Sequence, residues 1–260
     1  MTTIDVRGLP GAVFGSGVAR RRELTGWDAA IRRRSATTRR IGFVSLDAGL
    51  DTATLAARTT RVLAARRREP VLAVDVTAGG EFAARLGITA APRAARPAPR
   101  VTAEAVEGLT HGAGWYGLRG RSDDGPVEAW ISDAAPVSRF FDVCVTDFGA
   151  RHPLDDFAAC AALCDAVCIV ADARRERAEL ARALGPAIMA LPESPLPVFA
   201  ILDRRGGGAT ARAMDADPWP VVGIPRSPAP RAHREPTAHA TRMALLRLCA
   251  ALVAGPEAAA

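Results

Sequence analysis

The 260-residue chain contains no lysine, so all 34 of its basic residues are arginine. It therefore has no side-chain ammonium to meet a phosphate. An arginine is only a partial substitute, because it presents a planar fork rather than a compact point charge. There is a single tyrosine, and aromatics make up 5% of the chain. That excludes a surface rich in stacking platforms for single-stranded nucleic acid. No run approaches the roughly 20 apolar residues of a membrane-spanning helix. No zinc signature that pairs Cys with His, no nucleophile elbow and no signal peptide is read in the sequence, so no distinct metal or acyl-transfer chemistry is expected.

The five cysteines include Cys160, Cys164 and Cys168, spaced four apart. That spacing looks like metal ligation on one helical face. The run CDAVCIVAD reads instead as a helix end passing into a strand, which would separate the three. The expectation is buried small hydrophobes and no metal. With an odd cysteine count, the chain is expected in a reducing cytoplasm, peripheral to the inner face of the membrane if it docks there.

The charge that is present is unevenly placed. Residues 1–40 hold nine arginines and three acids, an excess of six that equals the whole formal net charge. The remainder is neutral. A basic leader on a neutral body steers anionic partners without forming a broad electropositive face. The abundance of Ala, Arg, Gly and Pro also fits a GC-rich coding bias, which by itself accounts for many arginines. Within the leader, residues 19–34 predict a short helix carrying Leu24, Trp27 and Ile31 roughly on one side. Arg20, Arg21 and Arg22 flank it at one end and Arg32, Arg33 and Arg34 at the other. Such a helix can dock on a protein, on anionic lipid or on DNA; alternatively, Trp27 packs back on its own domain.

Beyond the leader, apolar runs of strand length alternate with helical patterns. Strands are expected at 41–46, 71–75, 115–120, 143–147, 166–171, 197–202 and 220–225. Helices are expected at 52–67, 102–108, 129–140 (interrupted by Pro136), 155–165, 176–184 and 237–253, with an irregular Pro/Ala/Arg-rich stretch at 88–100. Unalternated apolar strands separated by helices predict a three-layer α/β/α domain with a mostly parallel sheet. In such sheets ligands bind beyond the carboxyl ends of the strands. Asp75, Asp147 and the loop 47–51 all fall there. A carboxylate at a strand end also commonly caps a turn or helix, and this is the expected role of both aspartates. His152 lies near the same edge and is expected to be structural or solvent-exposed.

The segment RRIGFVSLDAGLDTATLAARTTRVLA, with VLAVDV at 71–76, FDVCVTDFGA at 141–150, VFAILDR at 198–204 and VVGIP at 221–225, resembles the MinD/ParA (SIMIBI) class of P-loop ATPases. Its Arg-rich leader with a Trp is similar to that of MinD-like proteins encoded beside actinobacterial type VII (ESX/WXG100) secretion systems. The resemblance implies a basic extension over 1–38 and one P-loop NTPase-like domain over 39–255. In the family a glycine-rich loop cradles phosphate, a Lys reaches the β- and γ-phosphates and a Thr holds Mg²⁺. Here Asp47 replaces the first, signature Lys and Ala48 the first loop Gly, while Gly49 is kept. Asp51 replaces a further Gly, Thr52 the phosphate-binding Lys and Ala53 the Mg²⁺-binding Thr. Asp203 stands where many relatives place an Asn beside the base.

The expectation is accordingly a pseudo-ATPase with no catalytic residues, no cofactor and no metal. It would act as a scaffold or regulatory partner of a secretion component or of an active MinD-like protein. One alternative is an altered nucleotide-binding enzyme in which Arg119, Arg151 or Arg226 supplies the missing charge. Another is non-specific DNA binding through the leader.

Overall fold

The computed structural model describes residues 9–89, 98–121, 125–203, 209–214, 218–225 and 239–254, with the side chains of 9–16 and 209 left aside. Its helices are α1 (Leu9–Arg32), α2 (Thr52–Arg66), α3 (Glu81–Leu86), α4 (Thr102–Val106), α5 (Pro126–Ala129), α6 (Ala135–Ser138), α7 (Phe157–Ala162), α8 (Arg175–Ala183), α9 (Gly185–Met189), α10 (Ala209–Ala213) and α11 (His239–Val253). Its strands are β1 (Arg39–Ser45), β2 (Val71–Asp75), β3 (Thr110–Gly112), β4 (Trp115–Arg119), β5 (Val143–Ala150), β6 (Ala166–Asp172), β7 (Leu196–Asp203) and β8 (Val221–Pro225). They form one sheet in the order β3-β4-β2-β5-β1-β6-β7-β8. All neighbours are parallel except β3 with β4.

The architecture is the expected three-layer α/β/α domain. The strands are buried along almost their whole length, which is why their sequences lack alternation. One face packs against α2, α11 and the second half of α1, through Leu55, Leu63, Leu245, Leu248 and Leu252. The other packs against α5 to α9, through Trp130, Val137, Phe157, Ala181 and Ile188. The alanines among them, such as Ala56, Ala57, Ala161 and Ala178, let helices lie close on the sheet.

All five cysteines are free and buried. Cys160 is on α7, Cys164 just past it and Cys168 in β6, so they share no helical face. Burial pushes the thiols of Cys144 and Cys160 up to about 12, far from a reactive thiolate.

Several elements depart from the expected pattern. The leader helix is longer than 19–34 at its N-terminal end. The segment around Pro136 starts earlier and contains a π-helical turn at Trp130–Ala134, with the Ala135 N–H bonded to the Trp130 carbonyl. Pro136 has no N–H to continue the ladder, and the register slips just before it. The edge strand β3 and the short helices α3, α9 and α10 were not legible, being too brief to show a period.

Arg67 holds the leader to the domain. Its guanidinium is buried, donates to the carbonyls of Ile31 and Arg33, and pairs with Asp142 at the start of β5. Ile31 is fully buried, and Leu24 and Trp27 pack on the same core. Trp27 thus packs back on its own domain. Arg32 pairs with Asp28 on α1, and Arg34 with Glu69.

Candidate functional site

The carboxyl ends of β1, β2 and β5 converge on the loop joining β1 to α2. In that loop the Ser45 hydroxyl donates to the Asp47 carbonyl at 2.9 Å, and Leu50 N–H donates to the same carbonyl at 3.1 Å. Asp47 Oδ1 accepts the Gly49 N–H at 2.9 Å. Asp51 is the N-cap of α2: Oδ1 accepts Thr54 N–H at 2.8 Å and Oδ2 accepts the Thr54 hydroxyl at 2.5 Å. Arg85 of α3 donates to the same Oδ2 at 2.9 Å. Two backbone N–H groups of the loop and first helical turn are therefore occupied by the chain's own carboxylates. The positive end of a 15-residue helix carries an internal anion where an exogenous one would otherwise sit.

The backbone agrees with the side chains. An anion-binding nest needs successive N–H groups in alternating right- and left-handed conformations. No residue between Leu46 and Thr52, Gly49 included, has a positive φ. Thr52 turns inward, nearly buried, and its side chain hydrogen-bonds Asp147. Ala53 is buried in the core and offers no oxygen to a metal.

Asp75 and Asp147 are register partners on adjacent strands, and both are buried. Asp75 has its acceptors filled: Oδ1 takes Thr77 N–H at 2.9 Å and the Thr77 hydroxyl at 2.7 Å, and Oδ2 takes Ala83 N–H at 2.7 Å. It anchors the turn into α3. Asp147 sits just before a bulge, where β1 register jumps from Phe43↔Asp147 to Val44↔Gly149. Its Oδ1 accepts Gly149 N–H at 2.9 Å. Gly149 has φ +72°, and a side chain there would also press on Thr77 at 3.0 Å, so glycine is required. Burial raises the Asp147 carboxyl to about 7; the Gly149 and Thr52 hydrogen bonds oppose this, and the charges of Asp75 and Asp51 add to it.

The remaining predicted positions are accounted for locally. Arg151 donates from Nε to the Phe148 carbonyl at 2.7 Å and pairs through Nη1 with Asp156 at 3.1 Å. Arg119 donates to the Ala78 carbonyl at 3.1 Å and lies over Gly80. Arg226 lies outside the described residues. His152 is exposed, 4.0 Å from Asp155. Asp203 is buried at the end of β7. Sequence reasoning missed Arg85, because α3 went unread. The glycines that bracket that helix, Gly80 and Gly87, both left-handed, were its available signal. Among the described residues no cluster of His, Cys, Asp and Glu has the arrangement of a metal site.

No family model and no curated protein matches the chain. Solved structures do. The cell division ATPase MinD of Pyrococcus furiosus shares 20% identity at a TM-score of 0.56, over 81% of this chain and 96% of that one. The chain has the MinD fold. A plasmid partition protein from Borrelia burgdorferi shares 14% identity at a TM-score of 0.56, again over 81% and 96%. The MinC:MinD cell division complex of Aquifex aeolicus gives 17% and 0.53, over 74% and 82%. At these identities the likeness is one of fold.

Proposed function

We propose that this chain is a pseudo-ATPase, a MinD/ParA-type domain that has given up MgATP and serves as a scaffold or regulatory partner of another protein. The observation that carries the reading is the β1–α2 loop. Asp47 and Asp51 take the N–H groups of Gly49 and Thr54, no lysine exists anywhere in the chain, and Ala53 lacks the metal-binding hydroxyl. A triphosphate entering this edge meets carboxylates. Unit charges of like sign about 4 Å apart repel by about 1 kcal/mol even in bulk water, and by more in a drier setting.

A protein partner fits a fold that one of its neighbours uses in that way, the Aquifex aeolicus MinD being in complex with MinC. The resemblance of the Arg-rich leader to MinD-like proteins of type VII secretion directs the partner search to a secretion component or an active MinD-like homologue. Calorimetric titration of ATP and ADP, with and without Mg²⁺, tests the reading. No heat at millimolar nucleotide is expected. Micromolar binding would overturn it and make Arg85 and Arg119 the first side chains to remove.

A further inference from the structure

A cleft of about 240 Å³ opens at the amino edge of the sheet, where β1, β6 and β7 begin. It lies at the opposite end of the strands from the β1–α2 loop, and so away from the edge where ligands of such sheets bind. Its walls are the stretch that joins α1 to β1, the residue before β6, and the stretch that joins α9 to β7.

Two charged groups of the cleft are left over once its internal pairs are made. Asp165 is taken by Arg40: Oδ2 accepts the Arg40 backbone N–H at 2.7 Å, and Oδ1 accepts its Nη2 at 2.7 Å. Arg39 donates from Nε to the Leu252 carbonyl at 3.0 Å, but its Nη2 is buried with no partner. Burial pulls the Arg39 guanidinium below its ordinary range, and the charge of Asp165 only partly opposes this. A buried donor without an acceptor costs free energy, which a bound anion would offset. Glu193 is exposed and has no ion pair among the described residues.

The cleft also carries apolar surface and a fixed shape. Leu196 lines it at the start of β7, and Met189, 39% exposed, lines it at the end of α9. Ser194 has φ 41°, the left-handed region that a residue with a side chain rarely occupies. Its N–H donates to the Leu191 carbonyl at 2.8 Å and its hydroxyl to the Met189 carbonyl at 3.2 Å. The turn that carries Glu193 is thus held in a strained conformation, a feature that gathers at ligand sites. On the facing stretch, the Thr38 hydroxyl donates to the Ser138 carbonyl at 3.1 Å.

We propose that this amino-edge cleft binds a free α-amino acid with an apolar side chain. The carboxylate meets Arg39, the ammonium meets Glu193, and the side chain lies on Met189 and Leu196. A polyanion would be repelled by Glu193 and Asp165, and a simple cation by Arg39. A small zwitterion answers both charges, whereas either terminus of a peptide answers only one. Pockets for drug-sized ligands run to roughly 300–1,000 Å³, so a single amino acid is the better match in size. The proposal is independent of what the β1–α2 loop does with nucleotide.

The experiment uses the full chain and ligand-observed NMR. The probes are L-leucine, L-methionine and L-phenylalanine at millimolar concentration. Leucinamide, which lacks the carboxylate, and N-acetyl-leucine, which lacks the ammonium, are the controls. Binding of at least one free amino acid is expected, with both leucine derivatives at least about tenfold weaker, the scale of one lost charged hydrogen bond. Glu193→Gln, at an exposed position, should weaken the amino acid by a similar factor while leaving the unfolding midpoint in place. Silence of all three amino acids overturns the proposal. So does equal binding of the derivatives, or binding that Glu193→Gln leaves unchanged, since either would place the ligand elsewhere or remove the charge pairing.

Discussion

Asp147 is buried beside Asp75, and its carboxyl is raised to about 7 from an ordinary value of 3.8. The folded state therefore holds the proton more tightly than the unfolded chain does. The stabilisation from that proton is full below 3.8 and is lost as pH rises from there through about 7. Urea titrations across that window should show stability falling with pH in the native protein. In Asp147→Asn that part of the slope should be absent; an unchanged slope would show that another group is responsible. Arg67 is the second residue whose environment dictates an outcome. Replacing it by Met leaves Asp142 and the carbonyls of Ile31 and Arg33 without their donor. The expected loss is about 3 kcal/mol or more by denaturant unfolding, because the partner charge stays partly buried and unpaired. Adding Asp142→Leu should recover part of that loss.

At the scale of elements, α2 depends on its N-cap, Asp51. Asp51→Ala removes both the cap on Thr54 and the tie to Arg85 on α3, and should cost about 1 kcal/mol. Asp51→Asn keeps the cap and should cost clearly less. The same residue thus stabilises the helix and fills its anion-binding end. The second half of α1 is tied to the sheet by Ile31, which is fully buried. Ile31→Ala should cost about 2–5 kcal/mol, the range for a large buried aliphatic truncated to Ala. An exposed change such as Thr25→Ala, on the same helix, should be nearly silent.

For the whole molecule, the pseudo-ATPase reading makes a prediction about ligand linkage. A ligand that binds only the native state at a hundred times its Kd adds about 2.7 kcal/mol of stability. Millimolar MgATP should leave the unfolding midpoint where it is, whereas an active MinD used as a control should shift upward. A comparable shift in this protein would mean that the loop opens and releases Gly49 and Thr54 N–H groups to phosphate.

Much of this was legible in the chain itself. Unalternated apolar runs such as AVCIVA, separated by helical patterns, pointed to strands covered on both faces, and so to the three-layer sheet. The absence of lysine was visible too. The fate of the two loop carboxylates was not. Asp51 meets Arg85 across 34 residues of chain, and Thr52 turns toward Asp147, because β1, β2 and β5 become neighbours only when the sheet closes. Local pattern also described the leader as one basic helix. The anchoring of its C-terminal end on the domain is a tertiary matter, made by Arg67, whose reach to Ile31 and Asp142 joins three segments distant in sequence. Composition and periodicity carry the information for burial, which is local and additive. Which charge meets which is set by distances between elements, and those exist only in the folded chain.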